Sequence, residues 1–79
     1  MSKLIKLPDG PYIKADSVVS VGKILNNPMS DSLFYKIYYN DYISRMVLSH
    51  IVSFDMVNMT KDLVESHRTS FVEMVNDNL

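Results

Sequence analysis

The chain contains no cysteine. No disulfide can close the fold, no thiolate can hold a metal, and the redox compartment leaves no trace in the composition. Glycine is almost as scarce. Gly10 and Gly22 are the only two, and neither sits in a Walker or dinucleotide pattern, so nucleotide binding by a standard phosphate loop is excluded. Long apolar runs are missing as well. The stretch free of formal charge at residues 46–54 is far shorter than the roughly 20 residues that cross a bilayer. Lys6 and Pro8 interrupt the first apolar residues before a signal-peptide core can form, so no cleaved leader is expected. Excess charge is lacking too: a net charge of −1 argues against a dedicated sequence-independent binder of nucleic acid. These absences together describe a soluble, cytoplasmic protein without membrane association.

What remains is 79 residues of which 47% are hydrophobic, enough for one small domain spanning residues 1–79 and for no second core. A domain this short buries only roughly 60% of the surface its unfolded chain exposes. Without disulfides or a metal, the apolar residues must hold the fold alone or share the task with a second subunit, and a homodimer is the expectation. The charges are unevenly spread. Residues 1–25 carry Lys3, Lys6, Lys14 and Lys23 against Asp9 and Asp16, a balance of +2, whereas residues 46–79 carry Lys61 and Arg68 against Asp55, Asp62, Glu65, Glu73 and Asp77, a balance of −3. A basic sheet complementing an acidic helix explains this split. Alanine occurs once while Asn and Ile occur six times each, a bias that suits AT-rich coding as in many phages and mobile elements.

Along the chain, a short apolar stretch at residues 4–7 stops at Pro8-Asp9-Gly10-Pro11, a turn that ends a first strand. Tyr12 and Ile13 resume extended structure, and Ser17-Val18-Val19-Ser20-Val21 is β-branched and reads as strand. The turn formers at residues 26–32 suggest a mobile loop. Two strand-like runs, residues 33–39 and 42–48, flank Asn40-Asp41, which reads as a two-residue hairpin turn. Val52, Phe54 and Met56 continue an alternation beyond His50, as a fifth strand or as a lead-in to a helix. From Thr60 the period changes, placing Leu63, Val64, His67, Phe71, Met74, Val75 and Asn78 on one face of an amphipathic helix of about four turns. Thr60 suits the N-cap, and Asp62 in the first turn suits the dipole. The fold class is therefore α+β: an antiparallel sheet of four or five strands with the C-terminal helix packed on one face.

The search for chemistry is mostly negative. His50 and His67 lie 17 residues apart with no ligand-spaced carboxylates, and His67 reads as a histidine bonded at the core boundary. Ser49-His50 and Ser66-His67 are neighbours in sequence, which does not place a base on its nucleophile. The carboxylates are dispersed over turns and helix surface, and Met46, Met56, Met59 and Met74 read as core fillers. Neither catalytic residues, metal ligands nor a cofactor are expected. One feature suggests recognition. A two-residue turn at Asn40-Asp41 sets Tyr39 opposite Tyr42 and Lys36 opposite Arg45, with Leu33, Tyr35, Ile37, Tyr39, Tyr42, Met46 and Leu48 on the more apolar face. Two like charges then meet across the pair among aromatic residues, which makes Phe34, Lys36, Tyr38 and Arg45 the candidate binding residues for an anionic or aromatic partner surface.

The order of strand, Pro-Asp-Gly turn, the strand YIKADSVVSV, loop, hairpin and helix resembles the small flagellar FlbD-like proteins. There a short strand and a Leu-Asp-Gly-type turn lead into a similar Asn-or-Lys-Ala-Asp-hydrophobic segment. The match covers residues 4–21 in motif and the rest in element order. The middle loop and the helix are longer here, and SHIVSFDMVNM has no counterpart. The resemblance brings no function and no site residue. The functional expectation is a small non-catalytic protein-interaction module, an accessory or inhibitory protein of phage or mobile-element origin that binds a host protein. The alternative is a nucleic-acid-binding module using the basic aromatic hairpin face.

Overall fold

The computed structural model describes residues 3–55 and 60–79. In chain order they form β1 (Leu4–Lys6), β2 (Tyr12–Lys14), a single 3-10 turn (Ala15–Ser17), β3 (Val18–Val21), β4 (Leu25–Asn27), β5 (Ser32–Asp41), β6 (Met46–Asp55) and α1 (Lys61–Asp77). The fold is α+β, with an antiparallel four-stranded sheet, a separate β1–β2 hairpin and one C-terminal helix.

Alternation makes β5 the centre of the sheet. Leu33, Tyr35 and Ile37 are buried on one face, while Phe34, Lys36 and Tyr38 are half-buried on the other, the period of two that a pleated strand imposes. Because β6 pairs with β5 along its whole length, β4 and β3 must share the opposite edge, β4 beside residues 32–34 and β3 beside residues 37–39. Onto the inner face pack Ile5, Leu7 and Ala15 from the amino-terminal segment and Phe71 and Val75 from α1.

The helix starts where the sequence places it. The Thr60 hydroxyl accepts from the Leu63 amide at 3.3 Å, satisfying one of the donors left free in a first turn. Val64, Phe71 and Val75 form the buried stripe and His67 its half-buried polar member. Leu63, expected on that stripe, is instead exposed, because the face turned to the sheet runs through positions 64, 67, 71 and 75 and leaves position 63 to one side. Met46, expected as a core filler, is exposed as well, whereas Met74 packs against the core. Met56 and Met59 lie outside the described residues, as does any continuation of the alternation past Asp55.

The hairpin register departs from the sequence reading. Asp41 pairs with Met46, so the turn comprises residues 42–45 and Asn40-Asp41 belongs to the strand. Lys36 consequently faces Ile51, and the expected Lys36–Arg45 and Tyr39–Tyr42 pairs do not form. The physical reason lies in φ. A two-residue type I′ turn needs two consecutive residues at positive φ, and Asn-Asp has no glycine to supply them. The four-residue turn needs one, Arg45 at φ 58°. The faces survive the change. Register moves by six positions, an even number, and only an odd slip exchanges the two faces of a strand.

The turn formers at residues 26–32 likewise build structure instead of a long loop. Asn27 pairs with Ser32, and a four-residue turn with Asp31 at φ 50° joins β4 to β5.

Candidate interaction surface

Of the four residues singled out in the sequence, the structure brings three together. Phe34, Lys36 and Tyr38 stand in a row on the outer face of β5, half-buried, with Ser53, Ile51 and Ser49 beside them on β6. Arg45 closes the hairpin turn, six residues from Ile51 and therefore roughly 20 Å from Lys36 at the usual strand rise. The proposed cross-strand pair of cations is absent, so the row offers one cation between two aromatic rings.

A different surface stands out at the turn end of the hairpin. Leu4 of β1, Tyr12 of β2, and Tyr42 and Ile43 of the turn are 64% to 96% exposed and line one groove of about 240 Å³, with Tyr39 at its side. The turn chemistry accounts for this display. The Asp41 carboxylate accepts from the Ile43 amide at 3.3 Å and from the Ser44 hydroxyl at 2.8 Å, while its carbonyl accepts from the Arg45 amide at 2.8 Å. The Ser44 hydroxyl, and then the Ile43 amide, hold the Asp41 carboxyl below the usual carboxylate range. With backbone and Asp41 closing the turn, Tyr42 and Ile43 are released to point outward.

The turn between β4 and β5 has the same build. Asn27 Oδ1 accepts from the Met29 amide at 3.1 Å, the last turn residue again has positive φ, and Met29 stands 94% exposed as Ile43 stands 96% exposed. Asn27-Pro28-Met29-Ser30-Asp31 and Asp41-Tyr42-Ile43-Ser44-Arg45 thus follow one pattern of Asx, any residue, a long aliphatic, Ser and a positive-φ residue. That pattern was the available signal for the turn residues, because an Asx side chain accepting from the amide two residues on is a recurrent local turn. Sequence reasoning missed it by assigning Asp41 to the turn itself.

Polar groups inside the molecule serve as joints. Tyr35, wholly buried, meets His67 Nδ1 at 2.9 Å, and the Phe54 ring packs edge-on to His67 with centroids 4.9 Å apart. Burial pushes the Tyr35 hydroxyl up to about 12, against the lowering influence of the Arg68 guanidinium, so the hydroxyl keeps its proton well into the alkaline range. His50 Nε2 donates to the Pro8 carbonyl at 2.6 Å. On the helix, Arg68 donates from Nε to Gly22 O at 2.7 Å and from Nη2 to Val21 O at 2.9 Å, a use of this residue the sequence did not announce.

Two further grooves flank α1. One, of about 330 Å³, lies between the Pro8 turn and Phe71 and Met74, with Lys6, Asp9 and His67 at its polar margin. The other, of about 410 Å³, gathers Lys23, Lys61 and Arg68 around Glu65 and Thr69. Among the described residues no group of three or more His, Asp or Glu could hold a metal ion, and no helix is long and apolar enough to cross a membrane. Comparison with known protein families, with curated proteins and with solved structures finds no match.

Proposed function

We propose that the protein is a non-catalytic module that binds another protein through the tip formed by Leu4, Tyr12, Tyr42 and Ile43. The observation that carries this reading is the exposure of four large apolar side chains around one groove, on two hairpins whose own closure does not use them. Contiguous exposed apolar groups rimmed by polar ones are the usual signature of a protein-binding patch, and tyrosine is among the residues on which such interfaces most depend. Lys14 and Asp41 at the margin of the groove supply one charge of each sign for orientation. The compositional fit to phage coding makes a host protein the partner to try first, in an accessory or inhibitory role.

The test is capture of partners from cells by the wild-type chain and by the double variant Tyr12→Ser, Ile43→Ser. Both side chains are exposed, so the variant keeps its circular dichroism. Loss of two hot-spot side chains weakens capture by roughly two orders of magnitude or more. Undiminished capture by the double variant, with loss on changing Lys36 to Ser, would move the site to the outer row of Phe34, Lys36 and Tyr38.

A second reading, nucleic-acid binding, is favoured by the gathering of Lys23, Lys61 and Arg68 about one groove. Salt separates the two. Binding driven by neutralised phosphates falls steeply as salt rises, while binding through the apolar tip stays level.

A further inference from the structure

The two edges of the sheet are built differently. One edge is divided between β3 and β4, of four and three residues, and β3 carries a register shift between Val18 and Ser20. Short strands and bulges of this kind discourage pairing with another chain. The other edge is β6, ten residues long, in unbroken register with β5. Among the described residues no strand is bonded to its outer side. Residues 46–54 contain no Lys, Arg, Asp, Glu, Pro or Gly, so this edge carries neither the charges nor the proline that commonly protect one. Val47 and Ile51 stand beside it on the outer face, 56% exposed each.

We propose that β6 is the interface of a symmetric dimer in which two copies of this chain pair antiparallel, edge to edge, about a two-fold axis at Ser49. An antiparallel pair of identical strands closes on itself, which leaves no open end for further growth along that edge. A two-fold centred on a residue also pairs residues of like parity, so the helix-covered faces of the two sheets continue into each other. The choice of Ser49 follows from the side chains. Centred there, Val47 faces Ile51 of the second copy, Ser49 faces Ser49, Met46 faces Val52 and Leu48 faces His50, and no Lys, Arg, Asp or Glu enters the span. Centred on His50, each exposed aliphatic faces a serine and imidazole faces imidazole. Apolar cross-strand pairs stabilise a sheet more than pairs of an aliphatic residue with serine, which selects the first register. The tip at Ile43 takes no part in the pairing.

The absence of cysteine makes the test direct, since a single introduced thiol can join only two chains. Ser49 and Ser53 are both exposed on the outer face of β6 and serve as matched positions. Directly opposed residues of an antiparallel pair lie about 4.5–5.5 Å apart, within the reach of a disulfide. Two copies of Ser53 in the proposed register are separated by about 25 Å or more at the usual strand rise. Under mild oxidation Ser49→Cys forms linked dimer about tenfold or more faster than Ser53→Cys. Ile51→Lys, a charge at an exposed edge position, converts the dimer to monomer in sedimentation at tens of micromolar, with unchanged circular dichroism. Equal linking at the two positions, a wild-type monomer at every concentration, or a dimer that survives Ile51→Lys would overturn the proposal. Failure of the tip variant to lose its partner bears on the tip alone, because Tyr12→Ser with Ile43→Ser leaves the dimer intact.

Discussion

At the scale of single residues, two side chains are fixed by what lies against them. A Cβ added at Gly10 comes within 2.7 Å of His50 Cε1 and 3.1 Å of Leu7 Cβ, so a side chain at position 10 lets the turn after β1 seat on β6 only if the His50 ring shifts. His50 in turn holds that seat through its bond to Pro8. Gly10→Ala therefore destabilises by about 1–3 kcal/mol through overpacking. In denaturant unfolding the same change made in a His50→Ala background costs measurably less, since the colliding ring is gone; equal costs in both backgrounds would show that the ring is not what excludes the side chain. Tyr35 gives a pH signature. Its hydroxyl titrates near 12 in the folded protein and near 10 when unfolded. The folded state then holds the proton more tightly, so stability is intact below about pH 10 and falls as pH rises towards 12. Tyr35→Phe removes that contribution from the alkaline limb while losing the bond to His67 at neutral pH, and thermal unfolding across the range reads both effects.

At the scale of elements, the turns hold the most tractable gain in stability. A residue other than glycine at positive φ costs about 1–2 kcal/mol, less for Asp or Asn. Arg45→Gly should therefore stabilise by about 1 kcal/mol, and Asp31→Gly by less. Arg45→Gly also removes the side chain once assigned to binding, and under the tip reading partner capture persists while the melting temperature rises. The elements themselves were largely legible in the sequence. Alternation in residues 33–39 reports the inner face of β5, Thr60 reports the helix start, and Pro8-Asp9-Gly10 reports the first turn. Register was not legible, because hydrophobic alternation fixes only parity and the slip of six preserved it. The interaction surface was illegible for the same reason: with the turn placed at Asn40-Asp41, Tyr42 entered a strand and Ile43 its outer face, instead of the exposed tip. Arg68 escaped notice because its acceptors are main-chain carbonyls, which carry no sequence signal.

For the molecule as a whole, the question is what keeps the helix on so small a sheet. Three polar joints reach across the apolar seam at successive points of the chain: Arg68 to the end of β3, His67 to Tyr35 of β5, and the Asn78 carbonyl to the Lys3 amide at 3.0 Å. Arg68 is the strongest of these because a charged fork makes two bonds and leaves neither the Val21 nor the Gly22 carbonyl unsatisfied. Hydrogen bonds to charged groups contribute roughly 1.5–3 kcal/mol each, about 3–6 kcal/mol for the two; because both are only part-buried and solvent screens them, Arg68→Met costs about 2–4 kcal/mol. A chain of this length has a total stability of about 4–12 kcal/mol. Thermal unfolding should fall by on the order of 10–20 °C. Arg68→Lys restores little, since an ammonium cannot present two donors in the fixed geometry of a guanidinium; a lysine variant as stable as wild type would mean that charge alone, and not the fork, holds the seam. A second reading follows from the same residue. The guanidinium opposes the upward push of burial on Tyr35, so Arg68→Met moves the Tyr35 titration still higher, whereas Arg68→Lys leaves it nearer the wild-type position. Stability lost in both variants, with the titration moved chiefly in the methionine one, separates the bonding role of Arg68 from its charge.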